Sequence, residues 1–366
     1  MKVLSLFNNK GGVGKTTLSY HFANALSEMG KKVLMIDLDP QCNLSLCAID
    51  TNEIQKIWEP ENDFIDSNGF DSAKKNLTKA DYDKLLSEPR TIHFMLKPTE
   101  EGTGDIENVI PPYKVSTNLD IVPGRLTLHM YEYRISERWS GAYQGDPLSL
   151  RTITKIRDIC IKYTNQYGYD YIIIDTSPSL GALNKVIIST VDGFIIPCTP
   201  DLFSLYGIRN IGKSLQVWKK ELDTIYKLIS DDKRKLFPEE FVRFIGYTIY
   251  NAKKYTGYTE WNLSKAHFNF AKQIPSAITE FIPFSVRSNL ENETAGAPIG
   301  GVSIMHSHNT LPTMSQKYHL PIWRVPESVE LEEEDKKTIQ VNRRMYKDTL
   351  PVYKAFADDV ISRIGV

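Results

Sequence analysis

The chain is short of the residues that build extracellular or membrane-spanning proteins. It has 4 cysteines in 366 residues: Cys42, Cys47, Cys160 and Cys198. None stands in a C-x-x-C pair, so neither a disulfide framework nor a metal knuckle is expected. No apolar run approaches the roughly 18 residues that span a bilayer. No targeting leader precedes the first apolar strand, so a cytoplasmic location is expected. Charge of one sign is also missing: Lys+Arg 44 against Asp+Glu 45 gives a formal net charge of −1. That balance by itself lends no support to nucleic-acid binding. No internal repeat is visible. No helix-turn-helix precedes the first motif, so sequence-specific DNA reading is not expected. Hydrophobic content of 41% and charged content of 24% are ordinary for a globular protein.

What the chain does have begins at once. An apolar run, Val3 to Phe7, leads into Lys10-Gly11-Gly12-Val13-Gly14-Lys15-Thr16-Thr17. This is a phosphate-binding loop with Lys10 where the first glycine usually stands. A strand, a glycine-rich turn and a helix N-terminus direct backbone N–H groups at an anion. Gly11, Gly12 and Gly14 permit positive φ and close approach to phosphate oxygens. Lys15 is placed to reach the β- and γ-phosphates, Thr16 to ligate Mg²⁺, and Thr17 to meet the α-phosphate. The spacing predicts a helix over 15–29, with Leu18, Phe22, Ala25 and Leu26 on one face and Gly30 as its stop.

Two further apolar runs end in acid. Residues 32–36 lead into Asp37-Leu38-Asp39-Pro40, and Tyr171 to Ile174 leads into Asp175. Ligands of open α/β sheets gather at the carboxyl ends of strands. The expected roles are Asp175 holding Mg²⁺ through water, Asp37 supporting the metal shell and Asp39 orienting the attacking water.

The predicted strands are 2–7, 32–36, 119–122, 170–175, 193–197 and 243–250. The predicted helices are 15–29, 151–166, 180–190, 204–222 and 349–364. Their alternation implies an α/β fold, a mostly parallel twisted sheet with helices on both faces, in one domain over 1–366. The polar, irregular stretch at about 50–90 and the polar stretches at 127–150 and 300–340 read as insertions. In 127–150, Tyr131, Tyr133, Trp139 and Tyr143 lie among charges, as a surface excursion or a partner-binding surface. His306, His308 and His319, on a polar loop without cysteine, read as non-ligands. The helix at 349–364 has Val352, Phe356, Val360, Ile361 and Ile364 on one face. Its other face is nearly charge-balanced, so it is expected to pack on the sheet and not on lipid.

Together these segments resemble the ParA/MinD family of deviant-Walker-A P-loop ATPases. The matching text is FNNKGGVGKTT at 7–17, VLMIDLDPQCN at 33–43, LDIVPG at 119–124, YIIIDTSPSLG at 171–181, IIPCTPDLFSLYGI at 195–208 and IPFSVRSNLENETAGAPI at 282–299. DLDPQ and SPSLG favour the ParA branch. The resemblance implies an ATP hydrolase, slow and partner-stimulated, that dimerises when ATP-loaded. It implies that Lys10 reaches across the dimer to the partner subunit's nucleotide, as an arginine finger does. Tyr250 and Asn251 are then candidates for adenine contact, and the helix after Pro200 to Tyr206 for the nucleotide-sensing switch.

The resemblance also implies non-specific DNA binding and a protein partner that stimulates hydrolysis, in plasmid or chromosome partition. Positioning of a protein cargo, or a mobile-element or defence module, remain alternatives. Candidate DNA contacts are Lys253, Lys254, Lys272 and Arg287, with Tyr255, Tyr258, Trp261, Phe268 and Phe270 interleaved. A second basic stretch runs from Lys336 to Lys354. Both stretches can equally be solvated helix faces.

Overall fold

A computed structural model of the chain describes every residue except 68, 236, 258, 302–305 and 366. Tyr258 and part of the 300–340 stretch thus lie outside the described residues. Seven strands form one sheet: β1 (Lys2–Leu6), β2 (Val33–Leu38), β3 (Tyr113–Ser116), β4 (Leu119–Val122), β5 (Tyr171–Thr176), β6 (Gly193–Cys198) and β7 (Arg243–Ile249). Their order is β3-β4-β2-β5-β1-β6-β7, parallel throughout except for the antiparallel β3–β4 pair at one edge. Strands β2, β5 and β6 are buried almost without interruption. A parallel sheet covered on both faces has this property, and it explains why their sequences are continuous apolar runs rather than alternating ones. Six strands fall where the sequence places them. The missed one, β3, is short, and its residues alternate between half-buried and exposed.

The helices that position the site are α1 (Lys15–Glu28), α2 (Asn43–Ala48), α3 (Ile92–Glu101), α4 (His129–Tyr143), α5 (Pro147–Tyr167), α6 (Ala182–Thr190), α7 (Leu202–Leu228) and α8 (Thr349–Ile364). One core lies between the sheet and α3 to α7; a second lies between the sheet and α1, α2 and α8. On the second face Phe22 of α1 meets Phe356 of α8 edge-on, with ring centroids 5.4 Å apart. Tyr353, Phe356, Ala357 and Val360 are all fully buried, each large side chain contributing about 1.5–3 kcal/mol by its removal from water. The C-terminal helix therefore packs back onto the body, as its balanced polar face implies.

Two stretches differ from expectation. Residues 50–90 are not irregular. They form short helices, Thr51–Trp58, Phe70–Lys75 and Lys79–Leu86, and the first and last of these are capped by the side chains of Asp50 and Thr78. Helices this short and polar carry little periodicity, and their aromatic anchors, Phe64 and Phe70, pack on Phe94 of α3. The aromatics of 127–150 are not an exposed surface either. Leu128, Tyr131, Ile135 and Ala142 share one buried helical face, and the Tyr131 hydroxyl donates to the Thr152 carbonyl of α5 at 2.7 Å. The Lys185 ammonium sits 3.3 Å from the centroid of the Trp139 ring. Tyr133 alone of the large rings there is well exposed.

Candidate nucleotide-binding site

The phosphate loop leaves the end of β1 between β5 and β6, at the carboxyl edge of the sheet. Gly12 (φ 73) and Gly14 (φ 82) adopt left-handed backbone, and Gly14 is the N-cap of α1. No side chain caps that helix, and its first turn holds no acid. Its N–H groups and the positive end of its dipole therefore face the loop without competition from the protein's own carboxylates. Val13 anchors the loop by full burial.

Lys15 lies buried beneath the loop, its ammonium donating to the Lys10 carbonyl at 3.2 Å. Burial pushes its pKa down, and the nearby Asp175 and Asp39 oppose that shift. The Thr16 hydroxyl donates to Asp175 at 2.7 Å, and the Ser19 hydroxyl to its other oxygen at 3.3 Å. Asp175 stands opposite Asp37 in the β2–β5 register. Both are fully buried. Burial, then the charge of Asp37, pushes Asp175 up to about 7. Two buried carboxylates with one buried ammonium near them leave negative charge uncompensated, and a divalent cation would complete the balance. Thr16 and Asp175 offer hard oxygens, the donor type Mg²⁺ takes. Among the described residues no cluster of three or more His, Cys, Asp or Glu is placed to hold a metal.

Asp37 is engaged by the chain's own donors. One of its oxygens accepts from the Ser45 N–H at 2.8 Å and the Ser45 hydroxyl at 2.6 Å; the other accepts from the Asp39 N–H at 3.2 Å. These three bonds leave Oδ1 room for a further donor, and burial raises the carboxyl to about 6. Asp39 is buried at the end of the same strand, where it accepts from the Gln41 N–H at 2.9 Å.

Lys10 does not project outward in the single chain. Its ammonium donates to Thr199 Oγ1 at 2.6 Å and pairs with Asp201. Asp201 is also the N-cap of α7, accepting from the Ser204 N–H at 3.0 Å. One turn later, a Cβ on Gly207 would lie 3.2 Å from the side-chain oxygens of Asn8 and Asn9, so α7 rests directly against the loop. Leu202, Phe203 and Tyr206 are exposed at 49%, 71% and 54% on the start of this helix. The sequence reading marked this helix but missed Thr199, Asp201, Ser19 and Ser45. A D-x-x-S spacing at Asp201–Ser204 is an N-cap signal; no sequence signal points to the other three.

Tyr250 is not open to an adenine ring. It is buried, and a Cβ placed on Gly14 would meet its ring at 2.2 Å. The ring thus supports the loop from behind. Asn251 follows it in left-handed backbone (φ 59) and is exposed. Lys253, Lys254 and Lys272 are exposed beyond it, and none is in an ion pair among the described residues. Arg287 is half-buried, its guanidinium bonded to the Ile282 and Thr279 carbonyls and to Asn292. Three of the six basic residues from Lys336 to Lys354 are in ion pairs: Lys336 with Glu333, Arg344 with Asp348 and Lys347 with Glu327.

A family model described as an AAA domain matches residues 1–228. The chain belongs to the ParA/MinD family of P-loop ATPases. It is 31% identical over 211 residues to an uncharacterized protein of Methanocaldococcus jannaschii, covering 57% of this chain and 63% of that one. Against the sporulation initiation inhibitor protein Soj of Bacillus subtilis it is 26% identical over 226 residues, 61% of this chain and 68% of Soj. Against the chromosome partitioning protein ParA of Myxococcus xanthus it is 25% identical over 227 residues, 62% of each chain. The matched stretch thus spans about two-thirds or less of these relatives. Among solved structures, a Corynebacterium diphtheriae protein superposes with a TM-score of 0.61 at 27% identity, covering 80% of this chain and 90% of that one. The ATP complex of Cyanothece McdA gives 0.58 at 14% identity, covering 100% and 97%. The pNOB8 ParA bound to nonspecific DNA gives 0.50 at 18% identity, covering 100% and 98%. The last two establish the shared fold of this ParA/MinD-type ATPase. Among the described residues no helix is long and apolar enough to cross a membrane.

Proposed function

We propose that the chain is a cytoplasmic ATP-dependent dimerisation switch acting in DNA partition. The observation that carries this reading is Lys10, a second loop lysine held at the base of α7 by Asp201 and Thr199. ATP binds with its phosphates on the N–H groups of Gly11 to Thr17 and on Lys15. Thr16 and Asp175 would hold Mg²⁺, which would supply charge neutralisation to the phosphates. Asp39 orients the attacking water. Lys10 leaves Asp201 and completes the partner subunit's site, so that closure and catalysis require two loaded chains. Without that cation, two polyphosphates facing each other would repel. The exposed apolar start of α7 (Leu202, Phe203 and Tyr206) lies beside the loop and is covered in the closed pair.

Lys253, Lys254, Lys272 and Arg287 bind duplex phosphates without reading bases, in support of which the like-folded pNOB8 ParA is described bound to nonspecific DNA. A protein partner stimulates slow hydrolysis and reopens the pair. The names of the relatives Soj and ParA support the partition setting. The test is filter binding to duplex of arbitrary sequence, with and without ATP. Binding that requires ATP and falls steeply with salt is expected; ATP-independent or absent binding removes DNA from the account.

A further inference from the structure

The carboxylate assigned to orient water, Asp39, sits on a turn held on one side by its own bond to the Gln41 N–H. On the other side the turn is held by Asp37, whose Oδ1 accepts the Asp39 N–H. Asp37 is fixed in turn by Ser45, which lies 8 residues further on at the start of α2 and bonds Asp37 Oδ2 through both its N–H and its hydroxyl. The Ser45 oxygen has a second partner: the Gly124 N–H, just past the end of β4, donates to it at 2.8 Å. One hydroxyl therefore ties the buried carboxylate of β2 to the segment that follows β4.

Gly124 is held equally tightly from the other side. Its carbonyl accepts from the Trp58 indole at 3.1 Å. The next residue, Arg125, donates to the Trp58 carbonyl at 3.0 Å and to Asn62 at 2.7 Å. A Cβ on Gly124 would lie 3.1 Å from both the Asp37 carboxyl carbon and the Cys42 sulfur and 3.2 Å from the Asp37 carbonyl oxygen. A side chain at Gly124 would thus press on Asp37 and Cys42 by a few tenths of an ångström.

We infer that Ser45 is a positioning residue for hydrolysis, acting through Asp37 to set the Asp39 turn, with Gly124 as its backbone counterpart. Resting on the reading of Asp39 as the water-orienting group, this adds two residues that touch neither nucleotide nor water. Binding of ATP uses the loop and α1, to which Ser45 makes no hydrogen bond among the described residues. Its loss should therefore appear in the rate of hydrolysis and not in affinity.

The experiment compares the full chain with Ser45→Ala, Ser45→Thr and Gly124→Ala in steady-state ATP hydrolysis. Hydrogen exchange of the 39–45 segment is followed in parallel. Ser45→Ala should lose about tenfold in kcat with KM for ATP within about twofold, the split expected of a positioning group. Ser45→Thr, which keeps the hydroxyl, should retain kcat within about threefold, and Gly124→Ala should follow Ser45→Ala. Exchange at 39–45 should rise in Ser45→Ala while that of α1 stays unchanged. Unaltered kcat in Ser45→Ala, or unaltered exchange at 39–45, overturns the inference. If the wild-type chain hydrolyses no ATP while the exchange rises as stated, the hydrolysis reading fails and the Ser45 clamp stands.

Discussion

The ammonium of Lys10 and the carboxylate of Asp201, 191 positions apart in sequence, form an ion pair that joins the phosphate loop to the first turn of α7. Neither group is deeply buried: their side chains are 24% and 38% exposed. A pair this open contributes little to stability. It does determine where the lysine rests in the single chain, and the proposed closure would have to break it.

Replacing Asp201 should therefore ease dimerisation. Asp201→Asn keeps a good N-cap for α7 while removing the charge that holds Lys10. The ATP concentration at which the pair forms, read by light scattering, should fall by about fivefold, the size of a weak exposed ion pair. Asp201→Ala should show the same shift plus a loss of about 1 kcal/mol in stability from the missing cap.

Tyr250 distinguishes loop support from base recognition. Tyr250→Ala removes the ring that fills the space behind Gly14 and should cost about 3 kcal/mol in thermal or denaturant unfolding. It should weaken ATP and GTP binding alike, measured with fluorescent analogues. Selective loss of ATP binding would instead restore the adenine role that the sequence suggests.

Asp175 should make the nucleotide- and metal-free protein sensitive to pH. Its folded pKa is pushed up to about 7, from an ordinary value of 3.8. A carboxyl raised in this way stabilises the fold fully below its unfolded pKa, and that contribution is lost as pH rises through the folded value. Asp175→Asn should thus melt higher than wild type at pH 8, by at least ~2 °C, with the gap shrinking towards pH 5. With Mg²⁺ and ATP present the order should reverse, because the variant has lost a metal-supporting oxygen.

The lysines beyond β7 should act through salt-dependent attraction. Lys253→Ala and Lys254→Ala should each weaken binding uniformly across duplex sequences. Each should lower the slope of log K against log salt by about 1 if the residue contacts a phosphate. Arg287→Ala should also lower stability, since its guanidinium bonds two carbonyls and Asn292.

Much of this molecule is legible in the chain because a parallel sheet writes itself as continuous apolar runs ending in functional residues. Val3 to Phe7, the run into Asp37 and the run into Asp175 each mark a strand and a site position together. What is not legible depends on contacts distant in sequence. Tyr250 reads as a ligand contact until the packing on Gly14 is seen. Asp37 reads as a metal group, and its bonds to Ser45 have no counterpart in the sequence pattern. Tyr131 reads as exposed because charged neighbours surround it, although Leu128, Ile135 and Ala142 place it on a buried helical face. Lys10 is recognisable by its position in the loop, but its attachment to Asp201 requires β6 to lie beside β1.

The central claim, that Lys10 makes the competent form a dimer, is tested most directly by the mass of the ATP-bound protein. Light scattering on size-separated Asp39→Ala with Mg²⁺ and ATP, beside Asp39→Ala carrying Lys10→Ala, is the measurement. The account predicts a stable dimer for the first and a monomer that still binds ATP for the second. A dimer formed equally well without Lys10 would contradict it.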